Sequence, residues 1–331
     1  MEKAVSLNQF NGSLLVCKHG KMIYERSFGD QNTAKHQVNT NNTIYQVGSM
    51  TMAFTAALIL KLAEQQKLSL DDKLSKYIPS YLRGDEITIR HLLTHTSGIY
   101  DILKDPKAVA GNSKPRSRAE LLSFFINKPL DFTPGMKYSY SNSGYILLGL
   151  IIENVTEKPY QTVVRELILK PLKMKHTGFD FAGLTGDDKA MGYSKYTKEI
   201  QEESIPWDST ATFSAGSLYS TVEDLYRFHK GLQHHKLFSK ASMELATTPY
   251  LEGYGPGGRI DTLYDKKIVS YVGNIPGFTG YFGRIQEDNS CVILLDNISN
   301  QEIERIGQSI FGIMYHQPVA ADLLSPTDLH R

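Results

Sequence analysis

The sequence predicts a mixed α/β (α+β) fold in which an antiparallel sheet, built from both chain ends and flanked by helices, carries an inserted, mostly helical lobe. Three observations predict it. Strand-like runs lie at the two ends of the chain, helical periodicity fills the middle, and 331 residues is long enough for two lobes. Gly12 to Lys18 is mostly apolar, His19-Gly20 is a turn signal, and Lys21 to Phe28 returns to Gly29, which reads as a hairpin. Ser49 to about Lys67 repeats apolar residues (Phe54, Leu58, Leu62) at helical spacing, and Ser69-Leu70-Asp71-Asp72 resembles a cap opening a short helix. From Ile87 to Phe179 helical segments alternate with Pro and Gly. Alternation returns in Lys267 to Val272, Tyr281 to Ile285 and Cys291 to Asp296, and a last helix is expected over Gln301 to Tyr315. The expected organisation is one domain over 1–331, with a sheet-containing lobe of about 1–75 and 210–331 and a helical lobe of about 76–209.

Composition narrows the partners. Lys plus Arg number 36 against 35 Asp plus Glu, a net charge of +1, so no long-range field favours nucleic acid or an anionic membrane. The densest apolar stretch, Tyr145 to Ile152, is far short of the ~20 residues of a membrane span. Met1-Glu2-Lys3-Ala4-Val5 lacks a signal peptide's apolar core, so the expectation is a cytoplasmic protein or an extracytoplasmic one whose signal has been removed. Cys17 and Cys291 lie in apolar runs without sequence neighbours suited to metal or redox work, and read as core residues. His91 and His95, four apart, lack a third ligand nearby and read as structural. His234-His235 reads as surface, and His229 as a partly buried helix residue. No metal and no cofactor are expected.

Three segments can carry chemistry. Ser49 follows Gly48 and opens a helix, where unpaired N–H groups suit either an ordinary N-cap or a nucleophile whose own N–H stabilises an oxyanion. Tyr138-Ser139-Tyr140-Ser141-Asn142 follows Pro134-Gly135 and precedes a helix; a phenol there becomes a base only beside cations or strong donors. Tyr271-Val272-Gly273-Asn274 is a strand running into a glycine-rich turn, which permits close backbone approach of a ligand.

Taken in this order, and with Phe10 to Val16, the segment His91-Leu92-Leu93-Thr94-His95-Thr96-Ser97-Gly98-Ile99, and Ala215 to Leu225, these segments give a chain that resembles the serine β-lactamase-like family of class C β-lactamases, DD-peptidases and related esterases over nearly its whole length. The resemblance implies that Ser49 is the nucleophile of S-x-x-K and Tyr140 the proton shuttle of Y-x-N. It implies that Asn142 holds substrate amides, that Tyr271 and Gly273 line the opposite wall, and that the N–H groups of Ser49 and Asn274 form the oxyanion hole. The match breaks twice: Met52 stands where the lysine belongs, and Tyr271 where Lys or His is usual.

Two functions follow from these residues. One is a serine hydrolase-like enzyme that takes an ester, amide or lactam acyl group from a small or peptide-like substrate onto Ser49, with low or altered activity for want of the lysine. The other is a non-catalytic ligand-binding or regulatory pseudoenzyme that keeps the cleft. An engineered Met52 silencing an ordinary hydrolase is a third origin of the same pattern, although one substitution does not explain Tyr271 as well.

Overall fold

The computed structural model describes residues 1–317. Seven strands form one antiparallel sheet: β1 (Gly12–Lys18), β2 (Lys21–Ser27), β3 (Tyr254–Gly255), β4 (Gly258–Leu263), β5 (Lys266–Ile275), β6 (Phe278–Ile285) and β7 (Ser290–Asp296), in the order β2-β1-β7-β6-β5-β4-β3. The two chain ends meet at the β1–β7 ladder, which pairs Gly12 with Asp296 and Cys17 with Cys291. The end of the expected 210–331 span, residues 318–331, lies outside the described residues.

Period-two alternation sorts β1 onto two cores. Leu15 and Cys17 join Phe282, Cys291, Ile293 and Leu295 against the large helical layer. Leu14 and Val16 face the other way, with Tyr281, Val292 and Leu294, under a terminal helix, α5 (Ile303–Met314), and the short helix Glu2–Ser6. With both faces covered, β6 and β7 are buried along their whole length.

The helical layer is centred on α1 (Thr51–Glu64). Ten consecutive residues, Thr51 to Leu60, are buried, which explains its apolar character on every side. It packs against α2 (Asn142–Thr156) and α3 (Ser209–Gly216), while α4 (Val222–Gln233) lies across β1 and β7. Thr55 Oγ1 bonds Tyr160 Oη at 2.7 Å and donates to the Ser214 carbonyl at 2.7 Å, tying α1 to α3 inside the core.

The hairpin, the last three long strands and the last helix follow the sequence reading closely. One local expectation changes, and one strand was not anticipated. Ser69 to Asp72 forms a turn, closed by the Ser69 N–H on Asp72 Oδ2 at 2.8 Å, and only a single 3-10 turn, Leu74–Lys76, follows. Strand β4 carries Gly258, Arg259, Asp261 and Thr262, a composition too polar to read as a strand, and it is held by its ladder to β5.

Candidate active site

The site lies where the turn before α1 meets β5. Val47–Gly48 must pass against the β5 backbone, and two glycines make the approach possible. A Cβ at Gly273 falls 1.9 Å from the Val47 carbonyl oxygen, and one at Gly48 falls 3.2 Å from the Asn274 nitrogen. Gly48 also adopts φ +49, a left-handed conformation. Ser49 sits in the 3-10 turn Gly48–Met50, half-buried, so the backbones bearing the Ser49 and Asn274 amides adjoin.

From Ser49 a chain of contacts runs through Tyr140 to Met52. The Ser49 hydroxyl hydrogen-bonds the Tyr140 phenol, which donates to Met52 Sδ at 3.2 Å. Thioether sulfur is a weak acceptor, and Met52 is buried on the first turn of α1. Burial pushes the phenol's pKa well up, and the nearby Asp101 carboxylate pushes it further. The exposed third of Tyr140 belongs to a ring whose hydroxyl is desolvated.

Asn142, the first residue of α2, is 8% exposed. Its backbone N–H and side-chain Nδ2 both donate to Asp101, at 2.9 and 3.2 Å on Oδ1. That pairing leaves the Asn142 amide oxygen as the group free to accept. Asp101 is a residue the sequence reading missed; its place two residues past the His-Thr-Ser-Gly-Ile segment was the available signal.

His95, expected to be structural, packs against four tyrosines. Its ring centroid lies 4.3 Å from Tyr140, 4.7 Å from Tyr254, 5.0 Å from Tyr145 and 6.1 Å from Tyr138. Its Nδ1 accepts from the Ser141 N–H at 3.1 Å, so the proton rides on Nε2, a buried atom with no hydrogen-bond partner. Burial lowers its pKa to about 3. His95 is therefore a neutral imidazole with no lone pair to spare, and it positions the Tyr140 loop without acting as a base. His91 accepts the Thr88 N–H at 3.3 Å and closes a capping box on the helix Ile89–Leu93.

A cleft of about 430 Å³ opens at Ser49, walled by Ile102, Leu103, Ile146, Trp207, Ala211 and Ile275, with Asn112, Asn142, Thr212 and Asn274 as polar groups. Arg116, buried behind it, donates to Asn112 Oδ1 at 3.0 Å and sets that side chain. Asn112 and Trp207 come from loops distant in sequence and gave no sequence signal. The fold thus gathers Ser49, Tyr140, Met52, Asn142, Gly273 and Asn274. Tyr271 departs from the group: it stacks on Phe282 at 5.3 Å, hydrogen-bonds Arg284 and lines a separate cavity behind α1.

Two further readings change in three dimensions. His229 is fully buried, and it lies with Cys17 and Cys291 in one cluster, their ligand atoms within 4.8 Å of one another. The companions that the cysteines lack in sequence are supplied by α4. Among the described residues no helix is long and apolar enough to cross a membrane.

The family model described as Beta-lactamase matches residues 7–307. Protein flp of Staphylococcus aureus (strain MW2) is 29% identical over 89% of the chain and 61% of its own length, so the chain spans about three-fifths of that relative. The putative penicillin-binding protein PbpX of Bacillus subtilis (strain 168) is 29% identical over 92% of the chain and 75% of its own. Among solved structures, the octameric penicillin-binding protein homologue from Pyrococcus abyssi superposes with a TM-score of 0.85 at 29% identity, covering 97% of this chain and 76% of that one. The D-stereospecific amidohydrolase from Streptomyces superposes with a TM-score of 0.76 at 25% identity, covering 87% and 89%.

Proposed function

Since the chain belongs to the Beta-lactamase family, we propose that it is a serine acyl-transfer hydrolase working through a neutral tyrosine relay without a lysine beside its nucleophile, slow and confined to carbonyls with good leaving groups. The observation that carries this reading is the Ser49–Tyr140–Met52 chain, in which the phenol accepts from the nucleophile and has its own proton on a weak acceptor. Ser49 Oγ adds to the carbonyl carbon and its proton passes to the Tyr140 oxygen. Tyr140 passes its own proton from Met52 Sδ to the departing oxygen or nitrogen as the carbon–leaving-group bond breaks. Tyr140 stays neutral throughout, which its raised pKa favours. The amides of Ser49 and Asn274 serve as oxyanion donors, a term that mutagenesis elsewhere places at ~10²–10³ per donor.

Base assistance is worth ~10²–10⁴-fold. Its loss is the reason to expect slow turnover and an acyl-enzyme that persists. The apolar walls and carboxamide side chains of the cleft suit an uncharged, peptide-like acyl group, in keeping with the amidohydrolase and penicillin-binding neighbours. A second reading, a binding protein that keeps the cleft, is favoured by one observation: the charge beside Tyr140 is the Asp101 carboxylate rather than a cation.

Intact-protein mass spectrometry after incubation with a p-nitrophenyl ester and with a penicillin separates the two. An acyl adduct absent from Ser49→Ala supports the hydrolase. No adduct and no nitrophenol from folded protein overturns it in favour of the binding protein.

A further inference from the structure

Behind α1, on the helical face of the sheet, Arg284, Cys291 and Cys17 occupy one register row across β6, β7 and β1. Residues in register present their side chains to the same face. Helix α4 covers that face and brings His229 onto the row. The four side chains are at most 1% exposed.

The arrangement has two features that ordinary packing does not explain. First, Arg284 is a buried guanidinium with no carboxylate partner among the described residues. Its Nε donates to His229 Nδ1 at 3.3 Å, and its Nη2 has no hydrogen-bond partner. Leaving a cation uncompensated in the interior costs several kcal/mol. Second, the anionic capacity beside it is a pair of thiols. Cys17 and Cys291 pair directly across the β1–β7 ladder, and the Cys17 thiol donates to the Asn289 carbonyl at 3.6 Å, so two sulfurs stand beside the guanidinium.

We propose that Cys17, Cys291 and His229 form a binding site for a soft monovalent metal ion, copper(I). Ligand atoms 2.0–2.3 Å from one ion stand roughly 3.3–4.0 Å apart, and here all three lie within 4.8 Å of one another, so sub-ångström closure suffices. Thiolate sulfur selects copper(I) or zinc over hard cations. Charge decides between these two. Two thiolates, Arg284 and copper(I) sum to zero, whereas zinc(II) leaves a buried surplus of one positive charge.

The imidazole is prepared for the role. Because Arg284 only donates, Nδ1 carries the lone pair, and the Nε2 proton is fixed on Asn289 Oδ1 at 3.0 Å, the outer-sphere hydrogen bond that metal-bound histidines make. On binding, Nδ1 turns its lone pair from Arg284 to the metal, the two thiol protons pass to water, and Arg284 faces the thiolates. A cavity of about 300 Å³ lined by Arg284, Tyr271 and Phe228 lies behind α1 and reaches the guanidinium beside the cluster. The site is separate from Ser49 and does not depend on the reading of the cleft.

The test is an anaerobic titration of reduced protein with copper(I) against a chromophoric copper(I) chelator. The wild-type and a His234→Gln/His235→Gln variant, which removes an exposed histidine pair, are expected to hold about one equivalent. Cys17→Ser and Cys291→Ser, verified as folded by circular dichroism, are expected to hold under about a tenth of an equivalent, since each removes a ligand. Wild-type that gives up all its copper overturns the proposal, as does full retention by both serine variants or a preference for zinc over copper(I). X-ray absorption of loaded wild-type needs no variant. Two sulfurs and one nitrogen per copper support the site, and a shell of nitrogen and oxygen alone refutes it.

Discussion

Met52→Lys tests how much of the missing chemistry is a single charge. Met52 Sδ stands 3.2 Å from Tyr140 Oη, so a lysine ammonium on the same stem comes within about 4 Å of the phenol. At that distance an effective dielectric of ~20 gives an attraction of about 4 kcal/mol to tyrosinate, or about 3 pKa units downward. The shift acts on a group that burial and Asp101 now hold well above its ordinary value. Part of it is lost to desolvation of the lysine, because Met52 is 1% exposed. The expected gain in p-nitrophenyl ester hydrolysis is therefore ~10²-fold, the lower end of what a positioned base contributes. The assay is a pH–rate profile with a thermal midpoint measured alongside. The ammonium makes tyrosinate accessible as a base, so the variant should gain a basic limb in which the rate rises with pH, absent from the neutral relay of the wild type. The midpoint should fall, because an ammonium replaces a well-packed thioether. A folded Met52→Lys protein with the wild-type rate and profile refutes the assignment of Met52 as the deficit.

Tyr140→Phe removes the proton relay while keeping the ring, and should cut the rate of adduct formation at Ser49 at least tenfold on the scale of general acid–base terms, read by mass spectrometry over time. Gly273→Ala drives a methyl into the Val47 carbonyl, 1.9 Å from the ideal Cβ, and should abolish acylation and lower the thermal midpoint by prising β5 from the Ser49 turn. Asp101→Ala strands the two Asn142 donors, at a cost of about 1–3 kcal/mol in urea unfolding. His95 sets an acid limit on stability. Its folded pKa of about 3 lies below the ordinary 6.5, so between those values the unfolded chain takes up a proton that the folded chain refuses. Stability from this group is complete above pH 6.5 and should fall by about 1.4 kcal/mol per pH unit below it, a loss of about 2 kcal/mol by pH 5. His95→Gln should flatten that segment of the curve in urea melts.

The sequence by itself determined the architecture and pointed to most of the candidate site. The continuous apolar runs within Gly12–Lys18 and Ser290–Asp296 and the mostly apolar stretch Thr51–Leu60 are local signals that survive because both sheet faces and α1 are buried. Ser49, Met52, Tyr140, Asn142 and Gly273 were singled out in the sequence by the resemblance of their segments to the family's motifs, and the fold brings those segments together. β4 was not, because its strand character comes from its ladder to β5 and not from its residues. Tyr271 was placed with the site by position in a motif, but the pocket around Phe282 and Arg284 took its ring instead. Asp101 behind Asn142, His95 inside a ring of tyrosines, and His229 beside two cysteines 274 positions apart are long-range meetings. Their chemistry depends on burial and on which groups face one another across elements, and only the tertiary structure decides that: periodicity in a chain records which side of an element is buried, not what stands opposite it.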